Sequence, residues 1–191
     1  YSDIPVINGL TDYNHPCQII CDILTIWEHK GSLDNLKICY MGDGNNIVHS
    51  WLQLASRLPM DFVCCGPEGF EPDWDTVKMV EDSASSSFQL SHDPISAVRD
   101  ADVIYTDVWA SMGQKGEATE REKVFAPYQV NKDLINNTGK DTLFMHCLPA
   151  ERGREVTDEV MESKNSIVFD QAENRMHAQN AIMVYLTNNL S

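Results

Sequence analysis

The residues best able to do chemistry in this 191-residue chain gather where short apolar runs stop. Gly42-Asp43-Gly44-Asn45-Asn46 follows one run, Asp107-Val108-Trp109-Ala110-Ser111-Met112-Gly113 a second, and His146-Cys147-Leu148-Pro149 ends a third. A carboxylate such as Asp107 attracts a cationic amine, although an Asp after a strand is most often a cap or turn residue. The thiol of Cys147 can react or contact a substrate amine, against the ordinary role of cysteine as a small hydrophobe. Successive strand residues point to opposite faces, so His146 and Cys147 are not a pair by adjacency alone. Arg175 offers a planar donor fork for phosphate or carboxylate, or makes an ordinary surface ion pair. His15-Pro16-Cys17-Gln18 opens a helix, and a helix start favours anions. Asn46 can present its amide to a carboxylate or an amine, and Asn45 or Asn46 can cap the following helix.

The elements that must hold these groups alternate. Apolar residues at helical spacing predict a helix from about His15 to Lys30, then a strand over Leu36–Met41 and a helix over Asn46–Leu58. A strand over Asp61–Cys65, a helix over Trp74–Ser83, a short strand near Phe88–Leu90, and a helix opened by Asp93-Pro94 and ending at Val98 follow. Val103–Thr106 and Thr142–Cys147 read as strands. Gly113–Glu120 reads as a mobile loop leading into a helix near Phe125, and a last helix runs from about Ala172 to Leu186. Alternation of this kind predicts one α/β domain, a doubly wound, mostly parallel, Rossmann-like sheet with helices on both faces. In such sheets ligands bind beyond the carboxyl ends of the strands, where the three polar clusters lie.

Composition narrows the functions. The formal net charge is −15, which repels a phosphate backbone and argues against nucleic-acid binding, without excluding a local positive site. No apolar run approaches the roughly 20 residues needed to cross a membrane, and no signal or transit peptide is visible. The six cysteines form no CxxC pair, which fits reduced thiols in a reducing intracellular compartment: cytoplasm in a bacterium, plastid or mitochondrial matrix in a eukaryote. No metal cluster or cofactor is expected. Gly42-Asp43-Gly44 suggests a dinucleotide turn, but Ile47 stands where a third small residue is needed, and no acidic residue ends the second strand.

Taken together, the segments resemble the carbamoyltransferase family, and within it the members that act on ornithine. His15-Pro16-Cys17-Gln18 is similar to the HPxQ motif, Asp107–Gly113 to the DxxxSMG loop, His146–Pro149 to HCLP and Glu173-Asn174-Arg175 to ENR, in family order, with GDGNN between. The resemblance spans essentially the whole chain. It implies carbamoyl transfer from carbamoyl phosphate to the δ-amine of L-ornithine, giving citrulline and phosphate in arginine biosynthesis. It implies that His15, Gln18, Cys147, Leu148 and Arg175 meet carbamoyl phosphate, and that Asn46, Asp107, Ser111 and Met112 bind ornithine. Cys147 and Asp107 are the implied catalytic groups, Asp107 taking the α-ammonium. The loop after Met112 is implied to close over the ligands, flexing at Gly113 and Gly116.

One family signature, a Ser-Thr-Arg-Thr phosphate cradle, occurs nowhere in the 191 residues. The expectation is that residues 1–191 form the ornithine-binding domain, that the N-terminal carbamoyl-phosphate domain is missing, and that the isolated chain does not turn over. Family members are homotrimers, which implies that neighbouring subunits complete each site. The apolar faces of the first and last helices (Ile19, Ile23, Trp27; Ile182, Met183, Leu186) are expected to be partly uncovered. Two other readings stay open: a non-catalytic amino-acid-binding domain, and a carbamoyltransferase for a related amine.

Overall fold

In a computed structural model, residues 4–110 and 118–188 are described, residues 118 and 119 by their backbone alone. Five parallel strands, β1 (Lys37–Met41), β2 (Asp61–Cys65), β3 (Ser87–Ser91), β4 (Val103–Thr106) and β5 (Leu143–His146), lie in the order β3-β2-β1-β4-β5. The chain winds outward from β1 to β3, returns to β4 beside β1, and winds the other way to β5. The reversal between β1 and β4 opens the crevice in which doubly wound sheets bind ligands.

Side-chain alternation divides the core into two layers. On one face Ile38, Tyr40, Phe62, Cys64, Val103, Tyr105 and Met145 meet Ile19 and Ile26 of α1 (Pro16–Lys30), Trp51 and Leu52 of α2 (Asn46–Ala55), and Val77 and Val80 of α3 (Trp74–Ser83). On the other face Cys39, Met41, Val63, Cys65, Ile104 and Phe144 meet Ala97 of α4 (Pro94–Ala97). There they also pack with Leu134 of α6 (Lys132–Asn136) and with Val160 and Met161 of α7 (Asp158–Met161). A buried parallel sheet thus wants apolar residues at nearly every strand position, which explains why these strands read as unbroken apolar runs.

The helix ends follow local chemistry. Pro16 occupies the first position of α1, where its missing N–H is no loss, and Gly31 closes the helix at φ 74° with its N–H on the Trp27 carbonyl. Asn45 caps α2, Asp73 caps α3 and Asp93 caps α4, each accepting from backbone N–H groups of the first turn. The long α8 (Val168–Asn188) lies along α1, joined by hydrogen bonds from the Cys21 thiol to the Gln171 carbonyl (3.0 Å) and from Asn174 Nδ2 to Thr25 Oγ1 (3.1 Å).

Three expectations are corrected. The last helix starts four residues earlier than Ala172, at Val168; exposed Phe169 interrupts the apolar spacing that marks its first turn. Ala118–Glu120, expected in a loop, are the first residues of α5 (Ala118–Phe125). Ile19, expected at an uncovered face, is 2% exposed because it points into the sheet. Its neighbour Ile20 (47% exposed) joins Leu24, Ala178, Ala181, Ile182, Tyr185 and Leu186 around an apolar groove of about 460 Å³, and Trp27 and Met183 are exposed as expected.

Candidate active site

The tips of β1, β4 and β5 bring three polar clusters to one rim. At the first, Gly66 sits so close to the Gly42 carbonyl, and Gly44 so close to the backbone of Glu71 and Pro72, that a Cβ fits at neither position. The glycine turn is therefore packed against the chain's own backbone, which removes the physical reason for a dinucleotide reading. It also orients Asn45. The Asn45 Oδ1 accepts from the N–H groups of Ile47 (3.0 Å) and Val48 (3.4 Å), so its Nδ2 faces outward and donates to Asp107 Oδ2 at 3.1 Å.

Asp107 stands just beyond β4, half-buried. Its Oδ1 accepts from its neighbour's backbone, Val108 N–H (2.8 Å), and from the Cys147 thiol (3.1 Å). Burial pushes the Cys147 thiol pKa well above its ordinary value, and the adjacent Asp107 charge adds to it. The protonated thiol is a donor to Asp107 and a soft acceptor for a nearby N–H, and a poor nucleophile.

His146 is fully buried. Its Nδ1 accepts the Leu148 N–H (2.9 Å), so its proton sits on Nε2, 3.2 Å from Glu155 Oε1. That Glu155 oxygen also accepts the Glu151 N–H at 2.5 Å. The pair fixes the turn in which Leu148 takes φ 55°, and the Leu148–Pro149 bond is cis. Asp107, His146 and Cys147 put ligand-type atoms within 4.8 Å of one another. Both imidazole nitrogens are already engaged, which leaves a carboxylate and a protonated thiol and is a poor fit to a metal ion.

The start of α1 completes the rim. His15 is buried, its N–H donates to Ser50 Oγ (2.7 Å), and its Nδ1 has no partner among the described residues. Burial lowers the imidazole pKa, the Arg175 charge lowers it further, and Asp107 raises it. An imidazole that senses both Arg175 and Asp107 ties α1, α8 and β4 to one site, and at neutral pH it is uncharged. Gln18 is fully buried, with Nε2 on Asp22 Oδ1 at 2.8 Å and Oε1 without a partner among the described residues. Arg175, half-buried on α8, makes no hydrogen bond or ion pair among the described residues. In a chain of net charge −15, a guanidinium with no ion pair among the described residues, beside a helix N-terminus, suits an anion.

Of the residues singled out from the sequence, His15, Gln18, Asp107, Cys147, Leu148 and Arg175 thus converge. Asn46 instead pins the segment before α1, its Nδ2 donating to the Thr11 carbonyl (3.0 Å) while its own carbonyl accepts from Ser50 Oγ (2.7 Å). Ser111, Met112, Gly113 and Gly116 lie outside the described residues. Sequence reading missed Asn45 as the partner of Asp107, because either asparagine can cap the helix and only the turn geometry chooses. It also missed Asp22, whose position one turn after Gln18 places both side chains on one helical face.

Comparison with known proteins accords with this arrangement. A sequence model of the aspartate/ornithine carbamoyltransferase Asp/Orn-binding domain matches residues 34–186, and one of the carbamoyl-P-binding domain matches residues 1–28. An anabolic ornithine carbamoyltransferase of Pyrococcus furiosus is 56% identical over 186 residues, covering 96% of this chain and 59% of that protein. The chloroplastic ornithine carbamoyltransferase of Pisum sativum is 60% identical over 97% of this chain and 50% of its own length. A solved structure of ornithine carbamoyltransferase from Pyrococcus furiosus superposes with a TM-score of 0.93 at 53% identity, covering all of this chain and 62% of that one. The chain therefore spans about half to three-fifths of the length of these relatives.

Proposed function

The chain belongs to the aspartate/ornithine carbamoyltransferase family, and on that premise we propose that it supplies the amine-binding half of an ornithine carbamoyltransferase active site. The observation that carries the reading is the pairing at the rim: an acidic, thiol-bearing end at Asp107 and Cys147, and a cationic, anion-favouring end at Arg175 and the start of α1. An amino acid with an amine to be carbamoylated and a phosphorylated donor have complementary charges to these two ends.

In this reading Asp107 takes the α-ammonium of ornithine, with Asn45 holding the carboxylate from behind. Ser111 and Met112 complete that subsite, and Asn46 acts through the segment that it pins. Arg175 and the first turn of α1 receive the phosphate. His15 is kept neutral by burial and by Arg175, and its Nδ1, without a partner among the described residues, is the atom left for the carbamoyl group. Gln18 Oε1 and the Leu148 backbone face the carbamoyl nitrogen.

The reaction asks the protein for position and polarity. The neutral δ-amine attacks the carbonyl carbon, the carbonyl electrons pass to oxygen, and the resulting tetrahedral oxyanion collapses with expulsion of phosphate. The proton lost by the amine leaves with phosphate or solvent. Donors aimed at the developing oxyanion and a fixed approach of amine to carbon carry most of the acceleration. A free alkylamine has a pKa near 10.4, so the site must favour its deprotonated form. The Cys147 sulfur, protonated and half-buried, can accept an N–H from the attacking amine without becoming a competing nucleophile.

The Ser-Thr-Arg-Thr cradle absent from these residues belongs, in this reading, to the carbamoyl-phosphate-binding domain, which a neighbouring copy brings to the site in a homotrimer. Six free cysteines fit a reducing compartment, and among the described residues no helix is long and apolar enough to cross a membrane. The reading is tested by citrulline formation when this chain is mixed with a purified carbamoyl-phosphate-binding domain. Citrulline above that from either component supports the proposal; none, with tight ornithine binding by this chain alone, favours an amino-acid sensor.

A further inference from the structure

Asp22 lies at the centre of a buried polar network that the reaction as described does not use. It is fully buried in the second turn of α1, and its Oδ1 accepts from two amides, Gln18 Nε2 at 2.8 Å and Gln171 Nε2 at 2.7 Å. Gln171, from α8, also donates to the Tyr105 hydroxyl (3.2 Å), and its Oε1 accepts the His146 N–H (3.0 Å). Asp22 Oδ2 and Gln18 Oε1 are buried without partners among the described residues.

We propose that Asp22 is a positioning residue, an acceptor-only anchor that orients the Gln18 amide so that its oxygen, and not its NH2, faces the carbamoyl group. A Gln side chain can present either end to a ligand, because the two are nearly equal in shape. A carboxylate accepts and cannot donate, so both neighbouring amides must turn their nitrogens towards Asp22. The opposite end of each amide is then an acceptor. Gln171 spends its oxygen on the strand end that carries Cys147, and Gln18 keeps its oxygen for a ligand. The NH2 of a carbamoyl group is the matching donor. The inference rests on the proposed substrate for its last step, whereas the orientation of the two amides does not.

Burial raises the Asp22 pKa from 3.8 to about 7, with the two Gln amides, Tyr105 and Arg175 opposing the rise. The ionisable groups around it are Cys21 on α1, Tyr105 of β4, Cys147 beyond β5 and Arg175 of α8. A carboxylate held in so unfavourable a place is a candidate for a functional role.

Two readouts separate this inference from the proposed reaction. In the ligand-free chain labelled with nitrogen-15, the side-chain NH2 signals of Gln18 and Gln171 should move together as Asp22 titrates, and Asp22→Asn should abolish that movement. Two amides that ignore the titration overturn the inference whatever the activity. In the two-component citrulline assay, Asp22→Leu should raise the KM for carbamoyl phosphate by about tenfold or more, since the Gln18 amide loses the acceptor that fixes which end faces the ligand. Asp22→Asn keeps an acceptor for both amides, because Gln171 stays locked by the His146 N–H, and should hold that KM within about threefold of wild type. An Asp22→Leu variant with unchanged KM, or an Asp22→Asn variant as impaired as Asp22→Leu, overturns it. A wild-type mixture without activity counts against the reaction alone and leaves the amide measurement to decide the orientation.

Discussion

Replacing Asp22 by Asn should stabilise the chain, and more so at higher pH. The group's pKa rises from 3.8 to about 7 on folding, because burial outweighs the hydrogen bonds that it accepts. A carboxyl with a raised folded pKa binds more protons in the folded than in the unfolded state, so stability falls as pH climbs from the unfolded pKa to the folded one. A gap of about three units corresponds to on the order of 4 kcal/mol at pH 8. Some of that loss has accrued by pH 5, so about 2–3 kcal/mol separates pH 5 from pH 8. Asn keeps the volume and an acceptor but does not titrate. The difference in Tm between variant and wild type should therefore widen by roughly 4–12 °C from pH 5 to pH 8 for a chain of this size. Comparing the two proteins at each pH cancels the contributions of other titrating groups such as Asp43 and Asp102. Thermal denaturation followed by circular dichroism measures it. A Tm difference that stays constant with pH would refute the assignment of Asp22 as a buried carboxylate with a raised pKa.

Three further outcomes follow from the same geometry. Cys147, the cysteine least buried of the six, should react with iodoacetamide at pH 7.5 at least about tenfold more slowly than free cysteine, and Asp107→Asn should speed it, because burial and then Asp107 raise the thiol pKa. Mass spectrometry of the labelled chain reads both rates; labelling as fast as free cysteine contradicts the half-buried Asp107–Cys147 contact. Gly66→Ala should cost about 1–3 kcal/mol in urea denaturation, since the new methyl meets the Gly42 carbonyl, whereas Gly69→Ala at φ 86° in open space should cost about 1 kcal/mol. Equal costs would contradict the packed turn. Arg175→Ala should leave urea stability within about 1 kcal/mol of wild type, as no ion pair is broken among the described residues. A larger loss would mean that Arg175 serves the fold.

Most of the fold could be read from the residues, because a parallel sheet buried on both faces writes each strand as an apolar run and each crossover as a helical spacing. The runs at Leu36–Met41 and Asp61–Cys65 matched β1 and β2 within a residue. The start of α8 was missed because exposed Phe169 breaks the apolar spacing of its first turn, directly after Ser166 and Ile167 have paired with Phe144 of β5. At the site, residue types gave Asp107, Cys147, His15 and Arg175, since a lone carboxylate, thiol, imidazole or guanidinium at a strand or helix end has few purposes. They could not give Asn45 as the partner of Asp107, because either asparagine can cap α2 and only the turn geometry chooses. Nor could they give the Asp22 network, which joins α1, β4 and α8 across 149 residues of sequence.

The measurement that bears most directly on the central claim is the KM split in the two-component citrulline assay. Asp107→Asn should raise the KM for ornithine by about tenfold or more with little change for carbamoyl phosphate, because it removes the charge opposite the α-ammonium. Arg175→Ala should do the reverse, weakening carbamoyl phosphate and sparing ornithine. Variants that raise both constants equally, or that leave both unchanged, would contradict an active site with an acidic amine end and a cationic phosphate end.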